Sequence, residues 1–135
     1  MRKLIIGSAL LIFVISLMSF KNNQKFDLKT SIERGKEAYN IHCITCHMEK
    51  GEGLEGAFPP LAKSDYLMAD KNRSIKQILE GATGEMKVNG VVYNGEMPAS
   101  DLTDEQVSDV LNYVRNSWGN KGAAVTPNDV KAQRK

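Results

Sequence analysis

The chain of 135 residues is poor in the side chains that build metal, nucleophile and disulfide sites, with two cysteines, two histidines and one tryptophan. Both cysteines and both histidines lie between His42 and His47. Elsewhere the sequence shows no second cluster of metal ligands, no Ser/His/Asp arrangement and no glycine fingerprint for phosphate binding. These absences leave one short segment in which chemistry can be concentrated.

The chain also lacks a strong excess of one charge, since its formal net charge is +2. Residues 31–118 hold nine Lys and Arg against 14 Asp and Glu, a net charge of −5, whereas residues 21–30 have +2 and residues 119–135 have +3. A nucleic-acid binder concentrates basic charge on one face of its folded domain, so this distribution argues against nucleic-acid binding. The acidic body instead suggests a partner with a basic docking patch.

The first 20 residues have the pattern of an export signal. A basic start, Met1-Arg2-Lys3, precedes Leu4 to Phe20, which is apolar apart from a glycine and three serines. We therefore expect residues 1–20 to be a signal peptide or an N-terminal membrane anchor, and the rest of the protein to be periplasmic. Both alternatives stay open, because no small-x-small cleavage site follows and this 17-residue segment is barely long enough to span a membrane. No cysteine near residue 20 could bear a lipid.

The rest of the chain divides by composition into a polar leader (21–30), one domain (31–119) and a tail (120–135). Helix starts are predicted by Thr30-x-x-Glu33, Ser64, Ser74-x-x-Gln77 and Thr103-x-x-Gln106. Gly81 and Gly119 are the predicted helix ends, and the last helix includes Val114 and Trp118. The domain should be largely helical.

Two irregular stretches separate these helices. Residues 51–61 are dense in Gly and Pro, and Asn89-Gly90 between short β-prone runs predicts a hairpin within residues 86–99. Both stretches are also compatible with ordinary surface structure. In the tail, Thr126-Pro127 can start a short helix, and a frayed end is the alternative.

The segment Cys43-Ile44-Thr45-Cys46-His47 is the pattern C-x-x-C-H, which indicates covalent attachment of a c-type haem. Its two thiols lie about one helical turn apart, so they can add to the two vinyl groups on one edge of a porphyrin. His47 is then held at the iron as its proximal ligand. We expect one haem c, attached through Cys43 and Cys46.

Three other uses of these residues compete with haem attachment. A Cys43–Cys46 disulfide would close so small a loop that it would stabilise little. A thioredoxin-like redox pair would want a βαβ context, which the sequence lacks. A zinc site would need four ligands in a tetrahedron, and residues 42–47 are too crowded to supply them.

The sixth position of the iron decides between electron transfer and ligand binding. His42 is too close to His47 to reach the opposite face of the porphyrin, and we expect it to be an exposed helix residue. Met48 is held on the proximal side, and Met68 and Met86 are interpreted as packing residues. Met97, between a flexible Gly95 and a rigid Pro98, is the best candidate for the distal thioether.

Four separated elements in order make the sequence resemble the class I monohaem cytochromes c: the helix with Gly35 and Tyr39, CITCH, GEGLEGAFPPL, and YNGEMP followed by LTDEQVSDVLNYVRNSWGN. The resemblance covers residues 31–118. VNGVVYNGEMPA and VTPNDVKAQR are further similar to the small c-type modules that accompany bacterial copper nitrite reductases, sugar and alcohol dehydrogenases and haem-copper oxidases.

The resemblance implies an all-α cytochrome c fold, with helices wrapped around one covalently attached haem and a small hairpin or loop on the methionine side. It implies that the N- and C-terminal helices cross near Gly35, approached by Tyr113 or Trp118. It also implies that the Pro59 or Pro60 carbonyl, with Pro59 favoured, contacts the free ring nitrogen of His47 and that Leu61 lies against the porphyrin. Tyr93 and Asn94 are expected near Met97.

The expected function is therefore electron transfer, with no reaction on a substrate. A haem with His47 and Met97 as axial ligands would pass single electrons between extracytoplasmic respiratory proteins, a dehydrogenase and a reductase or oxidase, through small and transient contacts. The alternative is a haem-based sensor or a peroxidase-like enzyme, which would need an open sixth position.

Overall fold

The computed structural model describes residues 25–134. The predicted export segment and residues 21–24 of the predicted leader lie outside the described residues. The elements are α1 (Leu28–His42), α2 (Ile44–His47), α3 (Asp65–Ala69), α4 (Lys71–Glu80), β1 (Met86–Val88), β2 (Val91–Tyr93), α5 (Asp104–Val114) and α6 (Pro127–Lys131). The expected all-α fold with one small hairpin is confirmed. Over residues 25–134, none of the helices has the length and apolar character needed to cross a membrane.

The core forms where α1 crosses α5, which is the most extensive contact between helices. At the crossing, a Cβ built on Gly35 would lie 1.9 Å from the carbonyl oxygen of Asp109 and 2.9 Å from the Cβ of Tyr113. Any side chain there would push the helices apart, so glycine is required. Of the two expected neighbours, Tyr113 makes this approach, whereas the Trp118 ring covers Gly51.

Two predicted helix starts are wrong by three to four residues. Helix α1 is capped by Asp27, whose side chain accepts hydrogen bonds from the Thr30 amide at 2.8 Å and its hydroxyl at 2.7 Å. Helix α1 therefore begins at Leu28, within the segment predicted as the leader. Helix α4 is capped by Asp70, and Ser74 is inside the helix with its hydroxyl bonded to the carbonyl oxygens of Leu67 and Asp70. In both places an aspartate upstream takes the capping role.

The other predicted signals at helix ends mostly hold. Ser64 caps α3, the full capping box of Thr103 and Gln106 opens α5, and Gly81 at φ 81° ends α4. Helix α5 nevertheless ends at Val114, and Trp118 lies beyond it at φ 52°. The extension of this helix to Trp118 is therefore wrong.

The chain after residue 119 is packed on the body, so the short-helix alternative holds and the frayed end is wrong. Thr126 and Asp129 form a capping box that opens α6, and Val125 and Val130 are fully buried. The buried Asn112 side chain donates to the Val125 carbonyl oxygen at 2.8 Å and accepts from the Val125 amide at 2.7 Å. The segment that includes Val125 and α6 therefore packs against α5.

The Asn89-Gly90 hairpin prediction is confirmed. Strands β1 and β2 pair antiparallel, with Val88 opposite Val91, and the two turn residues have φ 50° and 86°. Positive φ at both positions is the signature of the two-residue turn that matches strand twist.

Candidate functional site

An apolar cleft lies between α5, the C-x-x-C-H turn, the loop of residues 51–61 and the hairpin side, and its empty space, including the open mouth, is about 1030 Å³. Its wall on α5 is made by Val110, Leu111 and Val114. All the site residues proposed from the sequence line this cleft: Cys43, Cys46, His47, Pro59, Leu61 and Met97. The fold therefore brings these residues together from parts of the chain up to 54 positions apart.

The C-x-x-C-H segment forms one tight turn. Cys43, at φ −122° and ψ −30°, separates α1 from α2. Its carbonyl oxygen accepts from the amides of Cys46 at 3.2 Å and His47 at 2.9 Å. Because one turn spans about 3.6 residues, both thiols and the imidazole can open onto the same cleft.

The His47 ring is oriented by the loop that follows it. Its Nδ1 lies 3.0 Å from the carbonyl oxygen of Pro59, the partner favoured from the sequence. A carbonyl oxygen only accepts hydrogen bonds, so Nδ1 must hold the proton and Nε2 is left with a free lone pair. Burial lowers the pKa of His47, against a smaller opposing effect of the Pro59 bond. A neutral imidazole with a free Nε2 can coordinate a metal ion.

The two cysteines are free thiols, so the structure has no Cys43–Cys46 disulfide. Burial, followed by the neighbouring Cys46, raises the pKa of the Cys43 thiol to about 11. Dithiol redox enzymes rely on a cysteine whose pKa is lowered, so this environment does not favour a thioredoxin-like pair. Within residues 25–134, no three His, Cys, Asp or Glu side chains are grouped to hold a metal ion.

Two methionines line the cleft, where sequence reasoning proposed one. Met97 is joined to Ala82 by a pair of backbone hydrogen bonds of 2.8 and 2.9 Å. Met86, interpreted from the sequence as a packing residue, lines the cleft from β1. The remaining methionines of residues 25–134, Met48 and Met68, are not among the lining residues.

A small polar edge of the cleft was not found from the sequence. Ser64, Tyr66 and Gln77 line it, and the Gln77 amide donates to the Tyr66 hydroxyl at 3.3 Å. The guanidinium carbon of Arg73 lies 3.6 Å from the centre of the Tyr66 ring. Only the arrangement of α3 and α4 brings these residues together, and no sequence motif marks them.

Tyr93 lines the cleft as expected, Asn94 does not, and His42 is exposed.

Helices around an apolar cleft, with two thiols and a neutral imidazole supplied by a single turn, define a protein that holds a c-type haem covalently. Residues 32–118 match the profile of the family described as Cytochrome c, and the chain belongs to this family. The resemblance to class I c-type cytochromes is thereby confirmed. Membership implies a covalent haem c.

Similar proteins include both cytochromes and cytochrome subunits of dehydrogenases. The chain is 39% identical over 82 residues to a cytochrome c-552 of Thermus thermophilus, covering 57% of the chain and 63% of that protein. It is 30% identical over 103 residues to the cytochrome c subunit of the quinone alcohol dehydrogenase of Gluconobacter oxydans, covering 74% of the chain and 22% of that subunit. With the gluconate 2-dehydrogenase cytochrome c subunit of Pantoea cypripedii the identity is 35% over 108 residues, covering 76% and 24%. The chain thus matches less than two thirds of the length of these relatives.

The geometry of the cleft and of the residues that line it fits a haem. Two unlinked thiols one turn apart suit two vinyl groups, and the Nε2 of His47 is free for iron. The aliphatic and aromatic lining suits a porphyrin plane, while the polar edge suits its carboxylates.

Proposed function

We propose that the chain is a one-electron carrier, or an electron-entry subunit, with one haem c bound through Cys43 and Cys46 and with His47 and Met97 as axial ligands. The observation that supports it is the common cleft, lined by both cysteines, His47 and Met97. The thiols would hold the group by thioether bonds, formed when each S–H adds across a vinyl double bond.

When bound, the haem supplies an iron that cycles between two oxidation states by one electron. His47 presents Nε2 because Pro59 holds the proton of Nδ1 in a hydrogen bond. The leucine and valine side chains of the cleft exclude water from the site. If Met97 held the iron together with His47, its sulfur would leave no open position for an added ligand, and a filled position favours electron transfer over ligand binding.

The proposed setting is the periplasm, with residues 1–20 as a signal peptide or as an anchor to the cytoplasmic membrane. The proposed partners are redox proteins, a dehydrogenase, reductase or oxidase, met in transient contacts. The dehydrogenase cytochrome subunits among the relatives support this choice. Residues 25–134, which include α6 packed on the body, hold 14 Lys and Arg against 16 Asp and Glu, and this net charge of −2 slightly favours partners with a basic docking patch.

The test is the visible and near-infrared absorption spectrum of the protein made together with haem-attachment machinery. The proposal predicts that colour stays with the chain after denaturation, and that the oxidised form shows the weak methionine-to-iron charge-transfer band. Met97→Ala should abolish this band and allow cyanide or carbon monoxide to bind. A colourless chain would contradict haem attachment altogether.

Met86→Ala is the matched control, because Met86 also lines the cleft. It should leave the charge-transfer band in place. If the band disappears in Met86→Ala and survives in Met97→Ala, Met86 is the ligand. If the wild type lacks the band and binds carbon monoxide readily, the open-site sensor or peroxidase replaces the carrier.

A further inference from the structure

The residue that follows His47 is held in an uncommon backbone conformation. Met48 has φ 63° and ψ 169°, a region that residues with a Cβ seldom occupy. Such a conformation persists only where surrounding contacts maintain it. Because Met48 follows His47 directly, contacts that fix the Met48 backbone also restrict the backbone of His47.

Tyr39 makes a side-chain contact that holds this backbone. Its side chain is fully buried, and its hydroxyl donates to the Met48 carbonyl oxygen at 2.6 Å. The Gly51 amide donates to the same oxygen at 3.2 Å. The rings of Tyr113 and Trp118, with centres 5.4 and 5.2 Å from that of Tyr39, keep the phenol in place.

The same turn is tied to the loop that contains Pro59. The Gly51 carbonyl oxygen accepts from the amides of Leu61 at 2.7 Å and Ala62 at 2.9 Å. The turn and this loop meet in the hydrogen bond between His47 Nδ1 and the Pro59 carbonyl oxygen. The length of that bond therefore depends on two backbone segments, and Tyr39 holds the one that contains His47.

We infer that Tyr39 is a positioning residue for His47: the bond from Tyr39 to the Met48 carbonyl oxygen maintains the hydrogen bond of 3.0 Å between His47 and Pro59. The inference rests on the proposed function, in which His47 binds the iron. A strong bond from Nδ1 makes the imidazole a better electron donor and stabilises the oxidised iron. Loosening the Met48 backbone weakens this bond and raises the reduction potential.

The decisive variant is Tyr39→Phe, which keeps the ring and its packing and removes the hydroxyl. In the purified haem-containing protein, its reduction potential should be higher than that of the wild type. The His47 Nδ1 proton resonance of the reduced protein should move upfield, as expected for a weaker hydrogen bond. Tyr113→Phe is the matched control, because Tyr113 belongs to the same aromatic group without being the partner of the Met48 carbonyl. It should move neither quantity.

If Tyr39→Phe lowers thermal stability but leaves the potential and the resonance unchanged, Tyr39 only packs and the inference is wrong. Replacement of Tyr39 by 3-fluorotyrosine gives a second test with little change in size. Its more acidic hydroxyl is a stronger donor, so the potential should fall, and an unchanged potential would count against the inference.

The wild-type spectrum separates this inference from the proposed function. Without covalent haem and the charge-transfer band in the wild type, the proposed function fails. With both present, an unmoved potential in Tyr39→Phe overturns the role of Tyr39 alone.

Discussion

The two sides of the cleft are built in different ways. On the attachment side, residues 39–61, hydrogen bonds between near neighbours hold the chain: Tyr39 to Met48, Gly53 to His47 and His47 to Pro59. On the methionine side, residues 82–98, Met97 is paired with Ala82 across the length of the hairpin. The flanking Glu96 and Pro98 are exposed.

This difference separates attachment from ligation. The attachment side is held to the core by the fully buried Tyr39, through its bond to the Met48 carbonyl oxygen. The methionine side depends on a hairpin that is too small to be stable alone and must pack on the body. We therefore expect the methionine side to open first under stress, while the attachment side keeps its form.

The largest expected effect comes from Gly35→Ala, which acts on the helix crossing beneath the attachment side. Its Cβ would lie 1.9 Å from the carbonyl oxygen of Asp109, which is backbone that cannot rotate away. The free energy of unfolding should fall by about 3 kcal/mol, measured by urea denaturation. Lys36→Ala, at an exposed position beside it, should change this value by less than about 0.5 kcal/mol. If the two substitutions lowered the free energy of unfolding equally, the close crossing of α1 and α5 at Gly35 would be refuted.

Gly90→Ala should affect the methionine side alone. Gly90 has φ 86°, and an added Cβ meets no neighbour within 4 Å, so the cost is that of the backbone conformation, about 1 kcal/mol. Amides of the hairpin should exchange faster with solvent, while those of α1 keep wild-type protection. The exposed Val92→Thr serves as control and should leave exchange unchanged. Faster exchange throughout the domain would mean that the two sides are not independent.

The smallest effect is expected from Asp129→Asn in α6, which belongs to neither side. The pKa of Asp129 is lowered from 3.8 to about 2, chiefly because its side chain accepts a hydrogen bond from Lys71 and also from Thr126. A carboxyl with a lower pKa in the folded state stabilises the fold above its unfolded pKa, and this contribution is lost as the pH falls from about 4 toward 2.

The wild type should therefore lose stability over this pH range, and Asp129→Asn should lose less. The difference should be about 1 kcal/mol or less, because the side chains of Lys71 and Asp129 are 33% and 31% exposed. Thermal unfolding at a series of pH values measures it, with the exposed Asp101→Asn as the control that keeps the wild-type profile. An unchanged slope in Asp129→Asn would show that the Lys71 pair adds nothing.

The errors made from the sequence have a common cause. Thr30 and Ser74 had aspartates, Asp27 and Asp70, within four residues, and either residue of each pair could cap a helix. The choice was made by burial, since α1 and α4 bury Ser31 and Ser74 inside their first turns. Similarly, the Asn120 side chain stabilises the chain beyond the end of α5, because its amide donates to the carbonyl oxygens of Val114 and Leu61. That second contact crosses the fold and leaves no local pattern.

Features that depend on neighbouring residues could be predicted from the sequence. The C-x-x-C-H turn, the Asn89-Gly90 hairpin and the capping box at Thr103 all follow from short-range sterics and hydrogen bonding. Packing between distant segments places Met86 beside Met97 at the cleft and makes Tyr66 and Gln77 its polar edge. The same packing buries Val125 and Val130 on the body. These outcomes arise where separate helices and loops meet, because burial there selects among local conformations that the chain alone leaves nearly equal in energy.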